Sequence, residues 1–220
     1  MLNSYLRRLK KHGVVIVGKP YIEHTAIIES GAYIEGNVRI MGESIVASGA
    51  KICGGTTLDY ATIGSGTVVT NSIISHAYIG CNSTVGPYAH IHKESVLGDN
   101  MRVGNFVEVK NSHIGSGTKM AHLSYIGDAD IGDMCNIGCG AIFVNYDGVS
   151  KRRSTIGNGV FVGSNSNIIA PVTIEDGAYI AAGSTVTISL PRDAMCIARA
   201  REVVKEGRTK YKPYKGVKHE

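Results

Sequence analysis

Eight histidines, five cysteines and a short run of cations hold most of the reactive chemistry of this 220-residue chain. His122 lies in KMAHLSYIGDADIG, among aliphatic residues and glycines. An imidazole titrates near neutrality and can take a proton from an attacking nucleophile, although a hydrogen-bonded structural ring is the commoner use of the residue. His90, His92, His113 and His122 are the candidate metal ligands, but no His-x3-His pair or other tight ligand motif joins them, so no metal is expected. Cys53, Cys81, Cys135, Cys139 and Cys196 form no CxxC pair and no zinc-ribbon spacing, which suits reduced structural thiols. NYDGVSKRRS brings Lys151, Arg152 and Arg153 together after a DG turn signal. Such a segment is either a tolerated insertion or a binding loop for a phosphorylated ligand.

The elements that must position these groups follow from a rhythm. A branched aliphatic recurs every sixth residue at Ile22, Ile28, Ile34, Ile40, Val46, Ile52 and Leu58, then continues with five-residue slips through Ile126 to Phe143. After NYDGVSKRRS it resumes at Ile156 and runs to Val186. A helical face repeats at three and four residues and a half-buried strand at two, so six fits neither. A hexapeptide period is the signature of a parallel β-helix, with one short strand and a corner per unit and three units per triangular coil. Roughly nine or ten coils, each rising about 4.8 Å, predict a prism on the order of 45 Å long. His122, two residues after the inward slot of Met120, falls near a corner. The period does not set the hand of the coil.

Composition narrows the alternatives. Twenty-eight glycines, no Trp and three Phe exclude a helical bundle in favour of a chain that turns often and fills its interior with Ile, Val and Ala. The net charge of +5 is concentrated near the two ends, and no aromatic-basic interleaving suggests a nucleic-acid groove. No apolar run approaches membrane-spanning length and no signal peptide is evident, so a cytoplasmic protein with no membrane partner is expected. The predicted organisation is an N-terminal helical cap over 1–13, a hexapeptide-repeat β-helix over 14–190 and a basic tail over 191–220.

From about Ile79 onward the chain closely resembles the acetyltransferase domain of the bacterial bifunctional glucosamine-1-phosphate acetyltransferase/N-acetylglucosamine-1-phosphate uridyltransferase family. VGNFVEVKNSHIGSGTKMAHLSYIGDADIGDMCNIGCGAIFVNYDG, IGNGVFVGSNSNIIAPVTIEDGAYIAAGSTVT and the later KEG carry the likeness. It implies an all-β, left-handed parallel β-helix, a homotrimer, and acetyl-CoA bound between subunits as co-substrate. The family's uridyltransferase domain has no counterpart in this sequence, so only acetyl transfer is implied, with a separate uridyltransferase as a conceivable partner.

Carried over residue by residue, the resemblance makes His122 the general base. Lys110, Tyr125 and Asn136 would contact the amino sugar phosphate, with Glu108 beside Lys110 orienting the amine. Cys139, Asn145, Tyr146, Ser164, Ala182 and Arg199 would line the coenzyme. Two positions depart from the family pattern. HIHK puts His92 where the family has an arginine on the sugar phosphate, so a bidentate fork becomes a weaker donor. NIGCG puts Cys139 where the family has alanine. The expected function is acetyl-CoA-dependent N-acetylation of glucosamine-1-phosphate or a related amino sugar phosphate. The alternatives are a non-catalytic sugar-nucleotide-binding or scaffolding β-helix and a γ-class carbonic anhydrase-like metalloenzyme.

Overall fold

The computed structural model describes residues 2–206. A helix at Leu2–Lys11 is followed by 28 strands of two to nine residues, all of whose ladders are parallel. Parallel strands two or three residues long cannot close by hairpins. Instead each pairs with the strand one coil later, as when Ile34 lies over Ile52, Ile52 over Val69 and Val69 over Val85. Three faces wind into one prism. One face is a nine-stranded sheet running from Ile27–Ile28 to Thr173–Ile174. The other two merge into a nineteen-stranded sheet, because Arg102–Lys110 and Lys119–Gly127 pass round their shared corner without a break.

The six-residue series lies inside. Every aliphatic on it from Ile22 to Val186 is buried, none more than 7% exposed, and like side chains stack coil upon coil. Burying an Ile or Val contributes about 1.5–3 kcal/mol, so the prism is held by many small equal increments. Ala, Ser and Thr fill the corners beside the aliphatics. Their hydroxyls replace the backbone partners that a corner loses. Thr67 Oγ1 donates to the Gly80 carbonyl at 2.6 Å and accepts from the Ser83 amide at 3.0 Å. Ser154 is different, with a buried hydroxyl that has no hydrogen-bond partner.

The helix closes one end of the prism. Leu9 enters the core, Tyr5 and Leu6 pack against it, and the Tyr5 hydroxyl donates to the Ala26 carbonyl at 2.6 Å. Gly13, at φ +86°, turns the chain into the first strand, a conformation a side chain would resist. At the other end, Met195–Cys196 pairs with Tyr179–Ile180, so strand pairing continues beyond residue 190. Residues 207–220 of the expected basic tail lie outside the described residues.

Candidate active site

The strand Lys119–Gly127 places the site. Met120 points inward, and the chain then turns a corner at Leu123, whose φ of +38° bends the strand without ending it. His122 therefore stands exposed on the edge of the prism, level with Asn105 of the preceding coil. Its ring has no hydrogen-bond partner among the described residues.

Register extends this corner downward. Met120 pairs with Ile137, Ile137 with Val162, and Val162 with Ile180. Two residues further on, His122, Cys139, Ser164 and Ala182 occupy the same corner of successive coils, and all four are exposed. The Asn165 amide donates to the Cys139 carbonyl and the Gly183 amide to the Ser164 carbonyl, both at 2.8 Å, which fixes the stack. The column is narrow because its flanks are glycine: a Cβ on Gly138 would lie 2.5 Å from the Ser164 nitrogen, and one on Gly163 would run into the Ala182 backbone. Arg199 lies one coil beyond, its Cδ 3.9 Å from where a Gly183 Cβ would stand. The result is an imidazole at the head of a shallow ladder of small side chains that ends near a guanidinium.

The face after the corner carries the second group. Glu108 and Tyr125 are register neighbours, with His90 one coil before them. His92 Nε2 lies 2.8 Å from Glu108 Oε1, in a pair that is 26% and 46% exposed respectively. The His90 ring stacks on His92 with centroids 3.7 Å apart. Burial, helped by the charge of His92 and opposed by Glu108, pushes the His90 pKa down from its ordinary value. Lys110 lies level with His92 and Gly127, at the far side of the same face. Burial raises the Tyr125 hydroxyl pKa, while a hydrogen bond from Asn145 works against it.

Not all the expected residues meet in one chain. Asn136 pairs with Lys119 and Phe161 on the face before the corner, away from Tyr125 and Glu108. Asn145 and Tyr146 sit at the opposite corner of the Tyr125 face, separated from the His122 column by five residues of strand, on the order of 15 Å. Two cavities of the described residues lie elsewhere. A cleft of about 730 Å³ separates the helix from the first coil around Tyr5, Arg8, Tyr21 and Glu23. A shallower one of about 450 Å³ surrounds His113 and Asp130 on the nine-stranded face. The four metal-ligand candidates are dispersed: His90 and His92 on one face, His113 on another and His122 on a corner. Among the described residues no group of three or more His, Cys, Asp or Glu is arranged to hold a metal ion.

The loop after Asn145 is built by its own polar groups. The Asp147 carboxylate accepts from the amides of Val149 and Ser150 at 2.8 and 2.7 Å, which holds its pKa below the usual carboxylate value. Tyr146 bridges to Lys151, and the Arg152 amide donates to the Asn145 carbonyl at 2.7 Å. Of the three cations, Arg153 turns inward. Its guanidinium meets Asp130 at 2.5 and 2.6 Å and donates to the Asn111 and Ala129 carbonyls at 2.8 and 3.1 Å. That pairing lowers the pKa of Asp130 and raises that of Arg153. Lys151 and Arg152 stay exposed. Sequence reasoning missed Asp128, whose carboxylate takes the side-chain amides of both Asn111 and Asn145. A signal was present, since Asn111, Asp128 and Asn145 recur at a step of seventeen, one coil.

Known proteins share both the sequence and the coil. A family model described as the GMPPB C-terminal domain matches residues 16–100, and one described as bacterial transferase hexapeptide (six repeats) matches residues 153–187. The bifunctional protein GlmU of Clostridium botulinum is 46% identical over 186 residues, 84% of this chain and 39% of that protein. Its counterparts in Clostridioides difficile and Shouchella clausii are 46% and 44% identical, covering 89% and 91% of this chain. This chain is homologous to a part of the GlmU proteins. It spans about two fifths of the length of these GlmU relatives. LpxA from Acinetobacter baumannii has the same fold at a TM-score of 0.53 with 18% identity, covering 82% of this chain and 70% of that one. An Arabidopsis UDP-N-acetylglucosamine acyltransferase aligns at a TM-score of 0.50 with 19% identity, covering 79% and 70%. The fold is the left-handed parallel β-helix, as the GlmU resemblance implied.

Proposed function

We propose that this GlmU homologue is an acetyl-CoA-dependent N-acetyltransferase acting on the amine of glucosamine-1-phosphate or a closely related amino sugar phosphate. The observation that carries the reading is the corner column: an exposed imidazole, without a hydrogen-bond partner among the described residues, heads a ladder of Cys139, Ser164 and Ala182 leading to Arg199. Small side chains let an extended thioester arm lie against the coil, and a guanidinium at the foot suits coenzyme phosphate.

In this reading the acceptor lies on the Tyr125 face. Lys110, a compact cation, and His92 meet the phosphate, while Tyr125 and Glu108 hold the sugar and its amine. An amine arrives largely as ammonium and must lose a proton to attack. His122 accepts that proton, the nitrogen adds to the thioester carbonyl, and the tetrahedral intermediate collapses to the amide and free coenzyme A. Asn136, on another face, and Asn145 and Tyr146, at another corner, are brought to the same thioester by neighbouring chains of a homotrimer. Beside His122, Tyr88, Phe106 and Leu123 form an exposed apolar ridge, with the first two rings stacked at 5.6 Å, and such a ridge favours a protein neighbour over water.

Thiol release from acetyl-CoA in the presence of glucosamine-1-phosphate tests the proposal. Turnover that falls by about 10²–10⁴-fold in His122→Ala is expected. No difference between wild type and that variant at millimolar acceptor ends the claim.

A further inference from the structure

The buried network at the second corner has a role that the chemistry above does not use. Asp128 is 8% exposed and Asn145 9%. One carboxylate oxygen of Asp128 accepts the side-chain amide of Asn111 from the coil before, and the other accepts that of Asn145 from the coil after. Burial raises the Tyr125 pKa and the Asn145 side chain acts to lower it, so the Asn145 amide lies beside the Tyr125 hydroxyl. Its backbone carbonyl meanwhile accepts from Arg152 and closes the 145–152 loop. One carboxylate thus governs the orientation of a side chain that touches the acceptor face on one side and begins the loop on the other.

We propose that Asp128 is a positioning residue for acetyl transfer: it locks the Asn145 amide so that the Tyr125 hydroxyl and the 145–152 loop keep one relative geometry. The claim rests on the acetyl-transfer reading of the site. Asp128 makes no contact with reactants and acts through Asn145. With an amide in place of the carboxylate, position 128 can accept only one amide donor and turns its own donors toward the other. Asn145 would then be free to rotate, and its amide would no longer be held beside Tyr125.

Asp128→Asn is the decisive variant. It keeps size and shape, and Asn tolerates the φ of +48° found at this position. A fall in kcat/KM of about 10–100-fold is expected in the full chain, in keeping with the sensitivity of transfer chemistry to small displacements. In a Tyr125→Phe background the same change is expected to cost less than about threefold, because the target of the positioning is gone. Asn111→Gly, which leaves the Asp128–Asn145 bond in place, is the structural control and is expected to keep kcat/KM within about threefold. Equal losses in both backgrounds, an equal loss in Asn111→Gly, unchanged kinetics, or an Asp128→Asn chain that does not fold would each overturn the claim. A wild type without turnover would defeat the acetyl-transfer reading instead. Spectra of protein labelled with ¹⁵N-asparagine and ¹³C-tyrosine then decide about Asp128: movement of both the Asn145 amide and the Tyr125 ring signals in Asp128→Asn supports it, and unmoved signals refute it.

Discussion

His122 and His92 are both imidazoles, and the coil gives them opposite surroundings. His122 stands exposed on a corner, with no hydrogen-bond partner among the described residues. His92 is paired with Glu108 at 2.8 Å and covered by His90 at 3.7 Å. The carboxylate therefore competes with any phosphate for the same donor. An arginine here would have donors to spare, since a guanidinium offers five in a fixed fork. We expect His92→Arg to lower the acceptor KM about tenfold, on the order of 1.4 kcal/mol, with kcat little changed. Steady-state kinetics over a range of acceptor checks this, and an unchanged or raised KM would separate His92 from the phosphate. On the proposed acetyl-transfer reading, His122→Ala belongs to the same scale but should act on kcat, because it would remove a proton acceptor rather than a binding group.

At the scale of an element, the 145–153 loop is an insertion closed by a clasp. Arg153 gathers Asp130 and two backbone carbonyls from strands it does not follow in sequence. Because Asp130 is 43% exposed, solvent screens the pair and reduces its worth. Arg153→Met should cost about 1–2 kcal/mol and should first appear as faster proteolysis between residues 146 and 152. The pH dependence has a definite sign. Asp130 titrates below its ordinary value of 3.8 in the folded chain, so its contribution is complete above that value. It is lost as pH falls through the lower folded value. Loop protection measured by hydrogen exchange should therefore hold from neutrality to about pH 4 and decline below it, and Arg153→Met should abolish that decline.

Much of this element was hidden in the sequence, and for a physical reason. The six-residue aliphatic series declares which residues point inward, and nearly the whole fold follows from it. The small residues at 139, 164 and 182 were also legible as candidates for one site. Which of three consecutive cations turns inward was not legible, since Lys151, Arg152 and Arg153 differ only in what lies across from them one coil away. The partners of Asn145 were obscured similarly, because a thirteen-residue gap between Phe143 and Ile156 interrupts the count that aligns one coil with the next.

For the whole molecule, coil spacing is the quantity that must be conserved. Corner glycines such as Gly163 have no room for a methyl group, because the next coil's backbone occupies it. Backbone cannot swing aside as a side chain can. Gly163→Ala should therefore separate two coils locally and destabilise by about 2–3 kcal/mol. It should also weaken coenzyme A binding, since the same shift spreads Ser164 from Ala182. Urea unfolding and calorimetric titration of coenzyme A test the two effects, and a stable variant with normal affinity would contradict both.

The two nine-residue strands that round their corner unbroken give this prism a belt at the level where His122 rides. Elsewhere each turn rests on separate short ties, and a stack of this kind loosens most cheaply from its free ends. Heat or denaturant would then strip the outer turns first, leaving the belt and its imidazole among the last parts to come undone.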